Sequence, residues 1–393
     1  MTYNEKLLFA SGGRSNYRIP SLVVTNDGTV LAFCNDRKDS LKNHAEETAL
    51  VYARKVLGGE WSEVRTVMGH EDLCCLIGSA VYDREEDKVL VSVTRKFAKN
   101  EFGKLSAEEL ERIKEEDAKK AKEMGIELGE FQLVSTDSGE SFAVEKMQVE
   151  PYVFTHIDGN TVSAGTFTHG GAHGIQLRHA EHRGRLLCPS RIFAGRYENW
   201  VDIRNYVYNN AIYSDDHGKS WHVSAPVQLG TGEGTLVELS NGDIFYNSRA
   251  YFGDRKRYLA TSRDGGATYS DFCTDDFLLE EARMGCNASF LRVERDELGE
   301  ELAAKYLPNG AEAITLFVNP RSEVRRNMSI CVSFDDGKSW KVAKTVYEDA
   351  CAYSSLDFSL VDKHFYLIYE KGTQKPYSLG ISALEFDLEW LFS

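Results

Sequence analysis

The octet S-T-D-S-G-E-S-F, Ser135 to Phe142, returns three times: S-D-D-H-G-K-S-W from Ser214 to Trp221, S-R-D-G-G-A-T-Y from Ser262 to Tyr269, and S-F-D-D-G-K-S-W from Ser333 to Trp340. Each copy follows a strand-like run: F-Q-L-V-S, N-A-I-Y-S, Y-L-A-T-S or S-I-C-V-S. The pattern predicts a hairpin turn. An aspartate accepts hydrogen bonds from backbone N–H groups a few residues on, glycine supplies a left-handed backbone position, and the aromatic folds back into the core. One octet alone is a β-turn and no more; four copies are a repeat. Arg54 to Trp61 keeps only the glycine and tryptophan of a worn fifth copy.

The copies begin 79, 48 and 71 residues apart. A four-stranded propeller blade takes roughly 40–50 residues. The longer gaps therefore hold a blade without its octet, or an insertion. The length of 393 residues leaves room for six or more such units. Leu105 to Met124 breaks the β pattern: Ser106 as N-cap and Glu109 three residues later form a capping box, and a charge-rich helix follows. The expectation is a solvent-facing excursion between blades, with a lid or a partner-binding helix as the alternatives.

Hydrophobic residues make up 42% of the chain, enough for a large core, and the 32 glycines against 7 prolines suit many short strands with tight turns. The net charge of −15 argues against nucleic acid and against an anionic membrane as partners. It does not exclude a small anion, because clustered arginines outweigh a distant screened field. No run of about 18 apolar residues predicts a membrane helix, and the first twenty residues carry no signal-like stretch. The expectation is a cytoplasmic protein whose eight scattered cysteines are reduced thiols, mostly in the core. No spacing suggests a metal or another cofactor.

The octets resemble the Asp boxes of sialidases, and Y-R-I-P, Tyr17 to Pro20, resembles the first-blade signature of that family. The matches fall in family order along nearly the whole chain. The resemblance implies an all-β, six-bladed β-propeller with a helical insertion around 105–126, as one catalytic domain over residues 1–393. It implies an exo-α-sialidase that hydrolyses terminal sialic or related nonulosonic acids, with a small sialoside or sialylated glycan as its partner. Three arginines would grip the substrate carboxylate: Arg18, Arg249 in D-I-F-Y-N-S-R, and Arg325 in F-V-N-P-R-S-E-V-R-R-N. Arg325 is preferred to its neighbour Arg326 on an R-x-N spacing. Arginine suits the task because its planar guanidinium bonds a carboxylate bidentately and stays charged.

Tyr353, in C-A-Y-S-S-L, matches the family nucleophile, and Glu233, in G-T-G-E-G-T-L, matches its base. A neutral phenol avoids the repulsion that a carboxylate nucleophile would meet at an anomeric carbon already bearing a carboxylate. Glu370, in F-Y-L-I-Y-E-K, matches the glutamate that orients the first arginine. G-G-A-H-G-I-Q-L, Gly170 to Leu177, with G-R-L-L-C-P, Gly184 to Pro189, resembles a family hairpin in which His173 is structural.

One match fails. The family's acid/base aspartate belongs on the loop within Asn35 to Arg54, where counting lands on Lys42, Asn43, His44 or Ala45. Asp39, Glu46 and Glu47 are the nearby carboxylates. Three readings stay open: a displaced acid, a substrate with a good leaving group or a different product, and a sialoside-binding propeller without turnover. A glycosidase for another carboxylated sugar is a further alternative.

Overall fold

The computed structural model describes residues 1–39, 47–69, 72–97, 107–165, 173–195 and 202–393. It is built from antiparallel meanders of short strands. Ser15–Val24, Val30–Lys38 and Thr48–Lys55 pair in order, and Arg65–Met68 adds to the last. A single parallel pair, Thr48 with Cys74, joins this meander to a second one formed by Leu73–Asp83, Lys88–Phe97, Gly129–Ser135 and Ala143–Lys146. A five-stranded sheet is centred on Leu186–Phe193 and Val207–Ser214, and Thr231–Glu238 to Ser270–Asp275 form a four-stranded one. The remaining large sheet has seven strands. It passes through the 18-residue strand Lys341–Phe358, which pairs with Arg326–Ser333 in its first part and with Phe365–Lys371 in its second. Strand pairing alone therefore does not divide the molecule into six separate blades. The sequence's own N-terminal strand, Tyr3–Ala10, pairs with Gly380–Phe386 near the other end of the chain.

The octets form the turns that their composition predicts, all four with the same bonds. In the second copy Ser214 Oγ donates to Asp216 Oδ1 at 2.8 Å, and the Gly218 N–H donates to Ser214 Oγ at 2.8 Å. Ser220 donates to Asp216 through its N–H at 2.8 Å and its hydroxyl at 2.6 Å. Burial works against the charge of Asp216, yet the hydroxyl and N–H bonds from Ser220 win and hold its carboxyl below the ordinary value. The glycine is required twice over. Gly218 has φ +82°, and a Cβ there would lie 2.2 Å from Leu90 of the preceding meander. Gly139, Gly266 and Gly337 press in the same way on Leu31, Leu187 and Phe245. The octet is thus a contact with the preceding meander as well as a turn. Its aromatic ends in the core: Trp221 is buried and donates from Nε1 to Gln132 at 3.0 Å, and Phe142 packs edge-on against Phe33 and Tyr52. The worn copy keeps a turn, closed by a bridge between Lys55 and Trp61.

The helix spans Ala107–Met124; the Ser106 cap lies outside the described residues. It is less free of the body than expected. Ala121 is buried, Met124 packs against the core, and Lys120 Nζ sits 4.4 Å from the centre of the Phe97 ring. Two small or apolar residues three apart make one anchoring stripe on an otherwise charged helix. All eight cysteines are free thiols, seven of them buried. Ile175–Gln176 pairs with Leu186–Phe193, as the hairpin reading expects, and His173 is buried beside it. No described helix is long and apolar enough to cross a membrane.

Candidate active site

Bulges in the inner strands aim the site. Register breaks fall between Arg18 and Ser21, between Thr231 and Gly234, and between Cys351 and Ser354. A bulge bends its strand and redirects the side chains at the break. Here the redirected residues are Arg18, Glu233 and Tyr353. At the first bulge Ile19 takes φ +63°, a costly backbone for a β-branched residue. The surrounding structure over-determines it. Glu370 Oε1 accepts from Arg18 Nε at 2.5 Å and from the Ile19 N–H at 2.9 Å, while Oε2 accepts from the Tyr353 N–H at 3.2 Å. Glu370 is fully buried, and it ties two bulges together besides orienting the first arginine.

Tyr353 and Glu233 meet as the sequence reading requires. The Tyr353 hydroxyl donates to Glu233 Oε1 at 2.6 Å. Arg249 Nη1 donates to the phenol oxygen at 2.8 Å and also forms an ion pair with Glu233 Oε2. Burial pushes the Tyr353 phenol well above its ordinary value, against the pull of Arg249. Burial also pushes the Glu233 carboxyl up, but Arg249, Arg191 and the Tyr353 hydroxyl together hold it below its ordinary value. The resting pair is a neutral phenol bonded to a carboxylate.

The three predicted arginines surround that phenol. The guanidinium carbons of Arg18, Arg249 and Arg325 lie 5.3, 6.0 and 5.7 Å from the centre of its ring. Arg325 donates from Nη2 to the Gly285 carbonyl at 3.0 Å. Arg326 is exposed and bonds Asp349 at 2.5 Å, away from the site. Of the two neighbours, Arg325 is the one beside Tyr353.

Several residues at the site escaped the sequence reading. Met284 O accepts from Arg249 Nε at 2.7 Å, so the segment 284–285 seats two of the arginines. Tyr377 stacks on Arg18 at 3.9 Å. Arg37 is buried, and burial together with the nearby Arg18 charge lowers its pKa to about 9. Arg191, also buried, has Nη1 3.6 Å from Glu233 Oε1. No repeat or local spacing marks these residues.

The first-blade carboxylates come out unequally. Asp39 is bonded to Arg14 at 2.7 Å on the exposed rim, and the hydrogen bond from Arg14 holds its carboxyl below the ordinary range. That is the wrong direction for a proton donor near neutral pH. Glu47 stands half-buried at the head of Thr48–Lys55, two strands from Arg18, and Glu46 lies outside the described residues. A separate cavity lined by His173, Gln176, Arg178, Glu238 and Asp357 lies further along the same inner strands. Glu238 and Asp357 follow Glu233 and Tyr353 by five and four residues, or roughly 13–17 Å of strand, so this cavity is distinct from the arginine cluster.

A protein-family model described as "BNR repeat-like domain" matches residues 115–359. The chain belongs to this family, within the sialidase superfamily. It is 29% identical over 400 residues to the sialidase of Micromonospora viridifaciens, covering 99% of this chain and 54% of that protein. This sialidase-superfamily chain thus spans about half the length of that curated relative. Its fold is similar to that of the intramolecular trans-sialidase of Ruminococcus gnavus solved with oseltamivir carboxylate, at TM-score 0.70 and 14% identity over 98% of each chain. It is equally similar to the NanB sialidase of Streptococcus pneumoniae, at TM-score 0.70 and 16% identity over 98% of this chain and 70% of that one. These two likenesses establish a sialidase-type β-propeller fold.

Proposed function

We propose that the protein is a retaining exo-α-sialidase. The observation that carries the reading is the Tyr353–Glu233 hydrogen bond of 2.6 Å, set among three arginines from separate parts of the chain. Arg18, Arg249 and Arg325 hold the carboxylate of a nonulosonic acid. The Tyr353 oxygen attacks the anomeric carbon as its proton passes to Glu233, and the glycosidic bond breaks. The leaving oxygen takes a proton from a carboxylic acid of the first-blade loop, where Glu47 and the Arg14-bound Asp39 are the described candidates. Water then cleaves the glycosyl-tyrosine with the anomeric configuration retained. A phenol needs a base at neutral pH, and Glu233 is the only described carboxylate bonded to the Tyr353 hydroxyl. Pairing of Tyr3–Ala10 with Gly380–Phe386 supports treating residues 1–393 as one unit.

One observation favours a second reading, sialoside binding without turnover: Asp39 is turned outward to Arg14. Hydrolysis of an aryl α-sialoside, measured beside sialyl-lactose, separates the two. Turnover of both is expected, with Tyr353→Phe lowering kcat by on the order of 10³-fold. Turnover of the aryl glycoside alone means that leaving-group protonation is missing. Binding of sialic acid with no turnover of either substrate establishes the second reading. Unchanged turnover in Tyr353→Phe overturns the mechanism.

A further inference from the structure

We propose that Arg191 is a positioning residue of the Tyr353–Glu233 pair, fixing Glu233 as an aimed carboxylate in the resting protein. The inference rests on the catalytic reading above. Arg191 belongs to Leu186–Phe193, a strand of a different sheet from those carrying Glu233 and Tyr353. It is 7% exposed, and its guanidinium lies 4.8 Å from the centre of the Phe193 ring. Its Nη1 donates to the Tyr251 hydroxyl at 3.3 Å and stands 3.6 Å from Glu233 Oε1. The Tyr251 ring in turn lies 4.8 Å from the Arg249 guanidinium. Tyr251 therefore links the two arginines that face Glu233.

The division of the carboxylate is the telling feature. Oε2 pairs with Arg249, whereas Oε1 receives the Tyr353 proton donor and faces Arg191. An arginine and a carboxylate left alone favour the bidentate fork, with both oxygens on one guanidinium. That arrangement with Arg249 would turn Oε1 away from the phenol. Arg191 supplies a second positive charge on the Oε1 side and holds the carboxylate across the gap, with one oxygen left for Tyr353.

Among the described residues, the groups facing Glu233 are Arg249 from Ile244–Ala250, Arg191 from Leu186–Phe193 and Tyr353 from Lys341–Phe358, with Tyr251 joining the two cations. The further charges Arg18 and Arg325 lie against the Tyr353 ring. Burial by itself favours the protonated Glu233; Arg249 opposes it first and Arg191 second, and Arg191 is the cation that faces the Oε1 side.

The test compares Arg191→Met, Arg191→Lys and Tyr251→Phe with the unmodified protein. Two measurements are made: kcat/KM for an aryl α-sialoside across pH, and the 13C carboxyl titration of Glu233, assigned with Glu233→Gln. Arg191→Met is expected to move the acid limb and the carboxyl titration upward together by about one pH unit. It should lower kcat by about tenfold while KM stays within about threefold. Arg191→Lys is expected to restore most of the titration and part of the rate, since lysine returns the charge without the fork. Tyr251→Phe, which loosens Arg191 and keeps its charge, gives a smaller shift in the same direction. An acid limb and a carboxyl titration that stay put in all three variants overturn the proposal. So does a rise in KM alone, which would make Arg191 a substrate contact. The carboxyl titration needs no turnover. A protein that hydrolyses no sialoside sinks the catalytic reading, and the titration still decides whether Arg191 sets the state of Glu233.

Discussion

The octet turns and the arginine site both hold charged side chains in place with dense hydrogen bonding, but they reach their partners over very different lengths of chain. In a turn the aspartate is bonded by residues two positions before it and four after it, and four copies repeat the same geometry. At the site Arg18 meets Glu370, Tyr353 meets Glu233 and Arg249 meets Tyr353, pairs separated by 352, 120 and 104 residues. A local device is rebuilt wherever its letters recur. A long-range device exists once and depends on every sheet between its parts. Loss of one turn should therefore be a small, local matter of stability, and loss of one site contact a matter of function.

The strongest challenge to that contrast is Glu370→Gln. It removes a buried charge that holds Arg18, the strained Ile19 backbone and the Tyr353 N–H. Leaving Arg18 buried without its partner should cost about 3–5 kcal/mol in chemical denaturation and raise KM by at least about tenfold. A stable variant with an unchanged KM would show that Arg18 is held by its other neighbours. Next comes Gly218→Ala, which places a Cβ against Leu90 at a left-handed backbone position. The expected loss is about 1–3 kcal/mol, with kcat per folded molecule unchanged. A fall in kcat there would mean that inter-sheet docking is transmitted to the site.

Asp216→Ala should have the smallest effect. It removes two bonds from Ser220 and one from Ser214, and about 1–2 kcal/mol of stability at pH 7. Its folded carboxyl lies below the unfolded value, so its contribution is complete above the unfolded value and fades as pH falls through the folded one. The difference in Tm between the two proteins should therefore shrink on acidification, and a difference independent of pH would assign the loss to packing.

The fold was largely legible, and the turns most of all, because Ser, Asp, Gly and an aromatic at fixed offsets act through bonds within eight residues. The helix was legible as a helix, but not its anchor: Ala121 and Met124 are too few to read as a buried face beside so many charges. Arg18, Arg249, Tyr353, Glu233 and Glu370, which the structure brings together, were named through motif resemblance rather than local physics. The choice between Arg325 and Arg326 needed the turn itself, which sends one guanidinium toward Tyr353 and its neighbour to Asp349. The pairing of Asp39 with Arg14 lay 25 residues away in sequence and across a sheet register, out of reach of any count along the loop.

What the sequence by itself determined is whatever acts over a few residues: the strand-and-turn repeat, the glycines the turns require, and the lack of a long apolar run. The tertiary structure alone decided which charges share a dielectric. Arg191, Arg37 and Tyr377 became site residues, and Asp39 a rim ion pair, only when separate sheets brought them together or kept them apart. The reason is physical. Hydrogen bonds in a turn are set by backbone geometry near one residue, while the charge state of a buried group depends on every ion within several ångströms, wherever in the chain it originates.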